Sequence, residues 1–266
     1  MSEFHLPPPS LEPFIEGYWH RSGHFAQEKK VRVVADACTD IILEFAPTPW
    51  PPRYVIGTQL APIVVTLRGD VDRSAIRFRP GMAWFFLRRP LDGLTDRVVP
   101  MTELEWQVPG TLYERLAAME RSIDRSEALS AWLTDELDRL KPDPEEVGES
   151  ERLASALSAG TPPHDLPTLM GRNSRRLQRV CRERFGATAI HLHRLYRFRR
   201  LYERLQGGGE SLADLAVELG YSDQAHMARE FRHFAGTSIT AFLAERGHVG
   251  NLQDEGKTWL PILAPD

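Results

Sequence analysis

Residues 211–236 read SLADLAVELGYSDQAHMAREFRHFAG, and the reading of this stretch decides the fold of the carboxyl-terminal half. Ser211 stands where a helix N-cap would, with Asp214 three residues on at capping-box spacing. Leu212, Leu215, Ala216 and Leu219 then recur at helical period and give one apolar stripe. Gly220 ends that helix, because glycine reaches the left-handed backbone region where helices stop. Ser222 or Asp223 starts the next helix, whose buried face is Met227, Phe231 and Phe234. Off that face stand Gln224, Ala225, His226 and Arg229, a set able to meet base edges in a DNA groove. The pattern is helix, tight turn, helix.

A second copy lies about 50 residues upstream. There, residues 166–171 (LPTLMG) precede residues 173–186 (NSRRLQRVCRERFG). The offset places Met227 on Leu177, Arg229 on Arg179, Arg232 on Arg182 and Gly236 on Gly186. The apolar pair at i and i+4 becomes Leu177 and Cys181. An internal repeat of one supersecondary unit is hard to obtain by chance. It is also what a reader of two consecutive groove segments needs, its recognition helices standing about 34 Å apart.

Working outward, the sequence resembles the AraC/XylS transcription regulators. The residues carrying the resemblance are Leu177-Gln-Arg, Gly186, Ser211-Leu-Ala-Asp-Leu-Ala, Leu219-Gly-Tyr-Ser-Asp-Gln, His226, Arg229, Phe231-Arg and Gly236. The interval from glycine to the first buried apolar residue is one shorter in the first unit (Gly171 to Leu177) than in the second (Gly220 to Met227), as in that family. The resemblance runs from about Glu151 to Arg246. It implies two helix-turn-helix units joined by one helix, double-stranded DNA as partner and, for an activator, RNA polymerase.

Composition sets the outer bounds. At 266 residues the chain has room for two cores. Its two cysteines, Cys38 and Cys181, are too few for a disulfide framework, which fits a reducing cytoplasm. The first residues lack the basic region and apolar core of a signal peptide. The apolar runs are too short to span a bilayer, so no membrane partner is expected. The net charge is −4, but residues 172–204 carry eleven arginines against Glu183 and Glu203. That stretch is +9 and the remainder −13, so a phosphate-contacting face is expected there.

The first hundred residues have a different texture. Residues 1–17 are proline-rich and read as an extended arm. Residues 31–46 hold two short β-branched strands around an Asp36 turn. Strands continue over residues 54–67, 76–78 and 82–87, with Gly69-Asp70 and Pro80-Gly81 as turn signals. Many short strands point to a sandwich or small barrel. The elements Leu11-Glu-Pro-Phe-Ile-Glu-Gly-Tyr-Trp, Gly57, Arg77-Phe-Arg-Pro-Gly-Met and Leu94-Thr-Asp-Arg-Val-Val-Pro resemble the cupin-like amino-terminal domain of one AraC-family subgroup. That resemblance implies a domain that binds a small effector, forms a homodimer, or both.

An enzyme is not expected. A metal-dependent cupin needs imidazoles and a carboxylate converging on a cation, yet residues 31–105 contain no histidine. No nucleophile elbow, phosphate-cradling loop or paired-cysteine zinc spacing occurs, and no cofactor is called for. Trp19, Trp84 and Phe86 are the aromatics able to line an apolar effector pocket, core packing being the alternative.

Residues 109–140 change period and read as two amphipathic helices parted near Ile123-Asp124, packing on the barrel or on a second subunit. Residues 141–149 are proline-rich and acidic, as a linker would be. The expected organisation is therefore α+β. A β-rich cupin-like barrel or sandwich spans residues 1–108, and a helical connector with its linker spans 109–148. An all-α double helix-turn-helix domain spans 149–247, and a tail carrying Trp259, Leu260, Ile262 and Leu263 spans 248–266.

Side-chain placement assigns roles. Residues opposite the buried stripe near a recognition helix's start reach bases, and later arginines reach phosphates. The base-reading set is Arg175, Gln178 and Arg179 in the first unit and Gln224, Ala225, His226 and Arg229 in the second. The phosphate set is Arg172, Arg182 and Arg232. In such folds Arg229 has a second role open to it, bracing its helix through an ion pair. On the bridging helix, Leu195, Phe198, Leu201, Tyr202 and Leu205 should face inwards and Arg194, Arg197, Arg200 and Arg204 outwards.

Overall fold

β-branched and aromatic residues alternating along the first hundred positions form six antiparallel strands: β1 (Ser2–His5), β2 (Ile15–Val33), β3 (Thr39–Glu44), β4 (Arg53–Ile56), β5 (Ile63–Phe78) and β6 (Val98–Pro100). The structure, a computed structural model, describes residues 2–248, so the tail residues Trp259, Leu260, Ile262 and Leu263 lie outside it. The strands make one sheet in the order β1-β2-β5-β3-β4-β6. β2 and β5 are far longer than their neighbours. β1 pairs only with residues 18–21 of β2, and β3 only with residues 73–78 of β5. Residues 22–33 and 63–72 therefore pair solely with each other, as a two-stranded ribbon beyond the sheet. A register shift between Phe25 and Lys29, opposite Gly69 at φ +69, marks a bulge in the ribbon. Val31, Val33, Ile63, Val65 and Leu67 of the ribbon share one cavity with Trp19, Ile42 and Tyr54 of the sheet. The ribbon thus doubles back over the sheet, and the expected barrel-like half is built from a single folded sheet.

Three local expectations are corrected. The arm contains β1, an edge strand paired with β2. Gly69 bends a strand where a chain-reversing turn was expected. Residues 82–87 hold α1 (Ala83–Leu87), a helix closed by Arg88 at φ +50. A five-residue apolar run that buries nearly every side chain has no period to separate strand from helix.

Behind the sheet lie α2 (Gly110–Ala117) and α3 (Ser122–Leu140). Leu112, Leu116, Leu129 and Leu133 are buried in the same core as Ile41, Ile76 and Phe78, so these helices pack on the barrel. Arg125 fixes them there, with bidentate hydrogen bonds to Asp72 at 2.6 and 2.9 Å and donation to the Leu116 and Met119 carbonyls. The expected linker is mostly helix. α4 (Pro144–Ser158) starts with Asp143 accepting from the Glu145 N–H, proline in the first turn, and Glu145 and Glu146 at the positive end of the helix dipole.

Six helices follow: α5 (Leu166–Leu169), α6 (Ser174–Phe185), α7 (Ala189–Gly207), α8 (Leu212–Glu218), α9 (Gln224–Ala235) and α10 (Ile239–His248). Among the described residues no helix is long and apolar enough to cross a membrane. The bridging helix α7 buries the expected Leu195, Phe198, Leu201, Tyr202 and Leu205. Phe198 meets Phe231 and Phe234 of α9 at ring-centroid distances of 5.6 and 5.3 Å.

The helical core also takes in Val34, Ala35 and Ala37, so the two halves share a buried seam. Gly81 lies on that seam at φ +83, where an added Cβ would stand 2.6 Å from the Phe185 ring. Gly81→Ala is expected to lower stability by about 1–3 kcal/mol from backbone strain alone. An unchanged urea midpoint would mean both that the backbone leaves the left-handed conformation at no cost and that the Phe185 ring gives way.

Candidate nucleic-acid interface

The two helix-turn-helix units match in their second helices and differ in their first, α5 being a single four-residue turn and α8 seven residues long. α6 and α9 each have twelve residues and are offset by 50 at both ends. Asn173 caps α6 by accepting from the Arg176 N–H at 2.8 Å, and Asp223 caps α9 by accepting from the His226 N–H at 2.5 Å. Gly186 and Gly236 close them in the left-handed conformation, at φ +76 and +70. Ser211 accepts from the Asp214 N–H at the start of α8, as its spacing predicts, though at 3.5 Å. Gly220 turns the chain at φ +74.

Placement of the candidate residues follows from the buried stripes. Leu177, Val180, Cys181 and Phe185 turn inwards on α6, leaving Arg175, Gln178, Arg179 and Arg182 exposed. Met227, Phe231 and Phe234 turn inwards on α9, leaving Gln224, Ala225, Arg229 and Arg232 exposed. Arg179 stands 4.0 Å from Glu183, at the limit of an ion pair. His226 is half-buried, its Nδ1 3.1 Å from the Ser222 hydroxyl and its ring edge-on to Tyr221, so it is partly committed to the turn.

Arg172 is corrected. Its guanidinium donates to Glu149 at 2.8 Å and to Glu145 at 3.1 Å, which withdraws it from the phosphate set. The phosphate-contacting face expected over residues 172–204 is narrowed with it, to the exposed Arg175, Arg179 and Arg182. Arg184 is buried against Glu146 and Glu149, Arg194 and Arg197 grip Glu230, and Arg204 pairs with Glu210 and Glu218. Arg199 pairs with Glu203 and lies 3.9 Å from Glu16. Most of the local positive charge is neutralised inside the fold. Bracing of the second recognition helix falls to Arg194 and Arg197, and Arg229 takes no salt bridge among the described residues.

The ion-pair hubs Glu149 and Glu230 escaped sequence reasoning. A readable signal existed for Glu230, which falls within the stripe of Met227, Phe231 and Phe234, where a carboxylate needs a cation. Of the pocket candidates, Trp19 lines the cavity between ribbon and sheet. Trp84 instead lies under the Arg184 guanidinium at 4.9 Å, and Phe86 packs against Phe78 and Trp106 in the core behind the sheet. Among the described residues no group of three or more His, Cys, Asp or Glu could hold a metal ion.

Fold and site together define a two-domain protein with a double helix-turn-helix DNA-binding half. Residues 168–245 match a family described as "Helix-turn-helix domain", and residues 3–100 one described as "Domain of unknown function (DUF6597)". Residues 168–245 thus form a helix-turn-helix domain, and residues 3–100 form an amino-terminal domain of that second family. No curated protein sequence matches the chain. Solved structures similar to it include ToxT from Vibrio cholerae in a P21 crystal form, at 10% identity and TM-score 0.43, covering 92% of this chain and 97% of that one. ToxT from Vibrio cholerae O395 is 8% identical at TM-score 0.47, covering 85% and 97%. An unsaturated fatty acid bound wild-type ToxT from Vibrio cholerae strain SCE256 is 9% identical at TM-score 0.42, covering 85% and 94%.

Proposed function

We propose that the chain is a sequence-specific transcription regulator whose α6 and α9 enter two successive major-groove segments of DNA. Its amino-terminal domain senses a small molecule, forms a homodimer, or both. The observation that carries the reading is the matched exposure of the two recognition helices. Each presents polar side chains from its first two turns on the face opposite its buried stripe. Arg175 and Arg179 suit guanine, Gln178 and Gln224 suit adenine, and Ala225 suits a thymine methyl. His226 and Arg229 complete the second set. Arg182 and Arg232, later on the same helices, are the phosphate contacts. RNA polymerase is a further partner where the bound protein activates.

Selection from random duplexes followed by titration tests this. Arg179→Ala should weaken binding by about 1–3 kcal/mol and relax preference at one base position. Arg182→Ala should weaken all sequences alike and lower the salt slope by about one. Binding that follows duplex charge with no preferred site would contradict the proposal.

A further inference from the structure

Each recognition helix ends against a different wall of the amino-terminal domain. Phe234, near the end of α9, accepts from the Ala35 N–H at 2.9 Å, and Gly236 lies against Pro62 and Arg32. Those contacts come from the base of the ribbon. Phe185 and Gly186, closing α6, accept from the Thr58 and Thr95 hydroxyls at 2.8 and 2.6 Å. Thr58 lies just past the end of β4, on the sheet side. Ribbon and sheet are the two walls of the cavity. Near the contacts one residue pair joins them: the Asp36 N–H donates to the Gln59 carbonyl at 2.9 Å, and the Gln59 N–H returns to Asp36 at 2.8 Å. Both of these residues line the cavity.

Its chemistry is narrow. Val31, Leu67, Ile42 and Val98 with Trp19 and Tyr54 make the lining mostly apolar, and Trp50, 39% exposed and stacked on Tyr54, stands at the mouth. The charged groups that border it already face partners. Arg73 pairs with Glu44, while Asp36 and Asp40 pair with Arg77, which also holds Glu16. Burial pushes the Asp40 carboxyl up to about 8, so near neutrality it is largely protonated. That leaves Glu16 and Asp36 against Arg77 and the neighbouring Arg199. A charged ligand would lose its hydration and find no counter-ion. The cavity holds about 70 Å³, whereas an apolar cavity of roughly 150 Å³ takes one benzene. A ring of that size must part the walls to enter.

We propose that this cavity binds a small uncharged aromatic molecule, and that its insertion changes the separation of α6 and α9 through the Thr58–Thr95 and Ala35–Pro62 contacts. The regulatory meaning rests on α6 and α9 being the DNA-reading helices. The test omits DNA, so failure here and failure of the DNA reading remain distinguishable. Spin labels are placed on the full chain by Arg182→Cys and Arg232→Cys, Cys38 and Cys181 being buried. Toluene is the probe, with benzoate and benzylammonium as charged counterparts. Toluene should raise the unfolding temperature and shift the label–label distance by about 1–2 Å, the scale of helix shifts at switching interfaces. The charged pair should do neither. In Thr58→Val/Thr95→Val, which releases α6 and leaves the α9 contacts intact, toluene should still stabilise while the distance shift shrinks. Absence of toluene binding, an unshifted distance with toluene bound, an equal response to a charged analogue, or an undiminished shift in the threonine variant would each overturn the proposal.

Discussion

Arg77→Ala is expected to lower the free energy of unfolding by about 3–5 kcal/mol, and by more at pH 8 than at pH 5. Arg77 is fully buried and faces Glu16, Asp36 and Asp40, with Nε 3.0 Å from Glu16 and Nη1 2.8 Å from Asp40. Removing the guanidinium takes from Glu16, Asp36 and Asp40 the cation they share, in a medium that solvates charge poorly, and Glu16 alone keeps the more distant Arg199 at 3.9 Å. Proton uptake is the main relief left to the group. Asp40 begins that way in the parent chain, burial and the nearby Glu16 carboxylate holding its pKa at about 8, well above the roughly 3.9 of an unfolded aspartate. The folded chain therefore keeps a proton that the unfolded chain releases between about pH 4 and pH 8. Stability from this group is full below that window and is lost as pH rises through it, on the order of 1 kcal/mol per pH unit. In the variant more carboxylates join this titration, so acid should restore part of the loss. Urea unfolding of both proteins at the two pH values checks it. Equal losses at pH 5 and pH 8 would show that the carboxylates find other cations.

How much of this was legible beforehand depends on whether a feature is local. The recognition units were readable because their signals are local: a cap, a 3.6-residue stripe and a glycine at the end of each helix. β2 was not, because residues 22–30 (SGHFAQEKK) are exposed on both faces of the ribbon and show no alternation. Met82 to Leu87 misled for the converse reason, being buried nearly all round. The cavity was legible only at Trp19, since its other walls come together through a bend that pairing imposes. The number of arginines is plain in the sequence, but their partners are not. Glu145, Glu146 and Glu149 sit in a stretch that composition assigns to a linker, and helix formation by α4 turns them towards Arg172 and Arg184. The same asymmetry separates the two units. Val180 occupies on α6 the position that Glu230 occupies on α9, so the first unit draws its carboxylates from α4 and the second carries its own.

Glu230→Ala should therefore damage the second unit selectively, at a cost of about 3–5 kcal/mol. Glu230 is 4% exposed and accepts from Arg194 Nε at 2.6 Å and from Arg197 Nη2 at 2.8 Å. Its loss leaves two guanidiniums of α7 facing an empty core position. Arg197 also donates to the Gly220 carbonyl at 3.0 Å and lies over the Tyr221 ring at 4.3 Å, so the disturbance reaches the turn between α8 and α9. Glu230→Gln keeps the shape and one acceptor and should cost less than alanine. Glu230→Leu with Arg194→Met and Arg197→Met removes all three charges and should recover most of the stability, because a buried ion triad exchanged for apolar packing is often neutral or better. DNA binding separates this from simple unfolding. At temperatures where Glu230→Ala remains folded, footprinting should show the half-site under α9 lost and the half-site under α6 kept. Loss of both half-sites together would mean that α7 transmits the damage across the bridge, and that the two units are held as one body by the arginines between them.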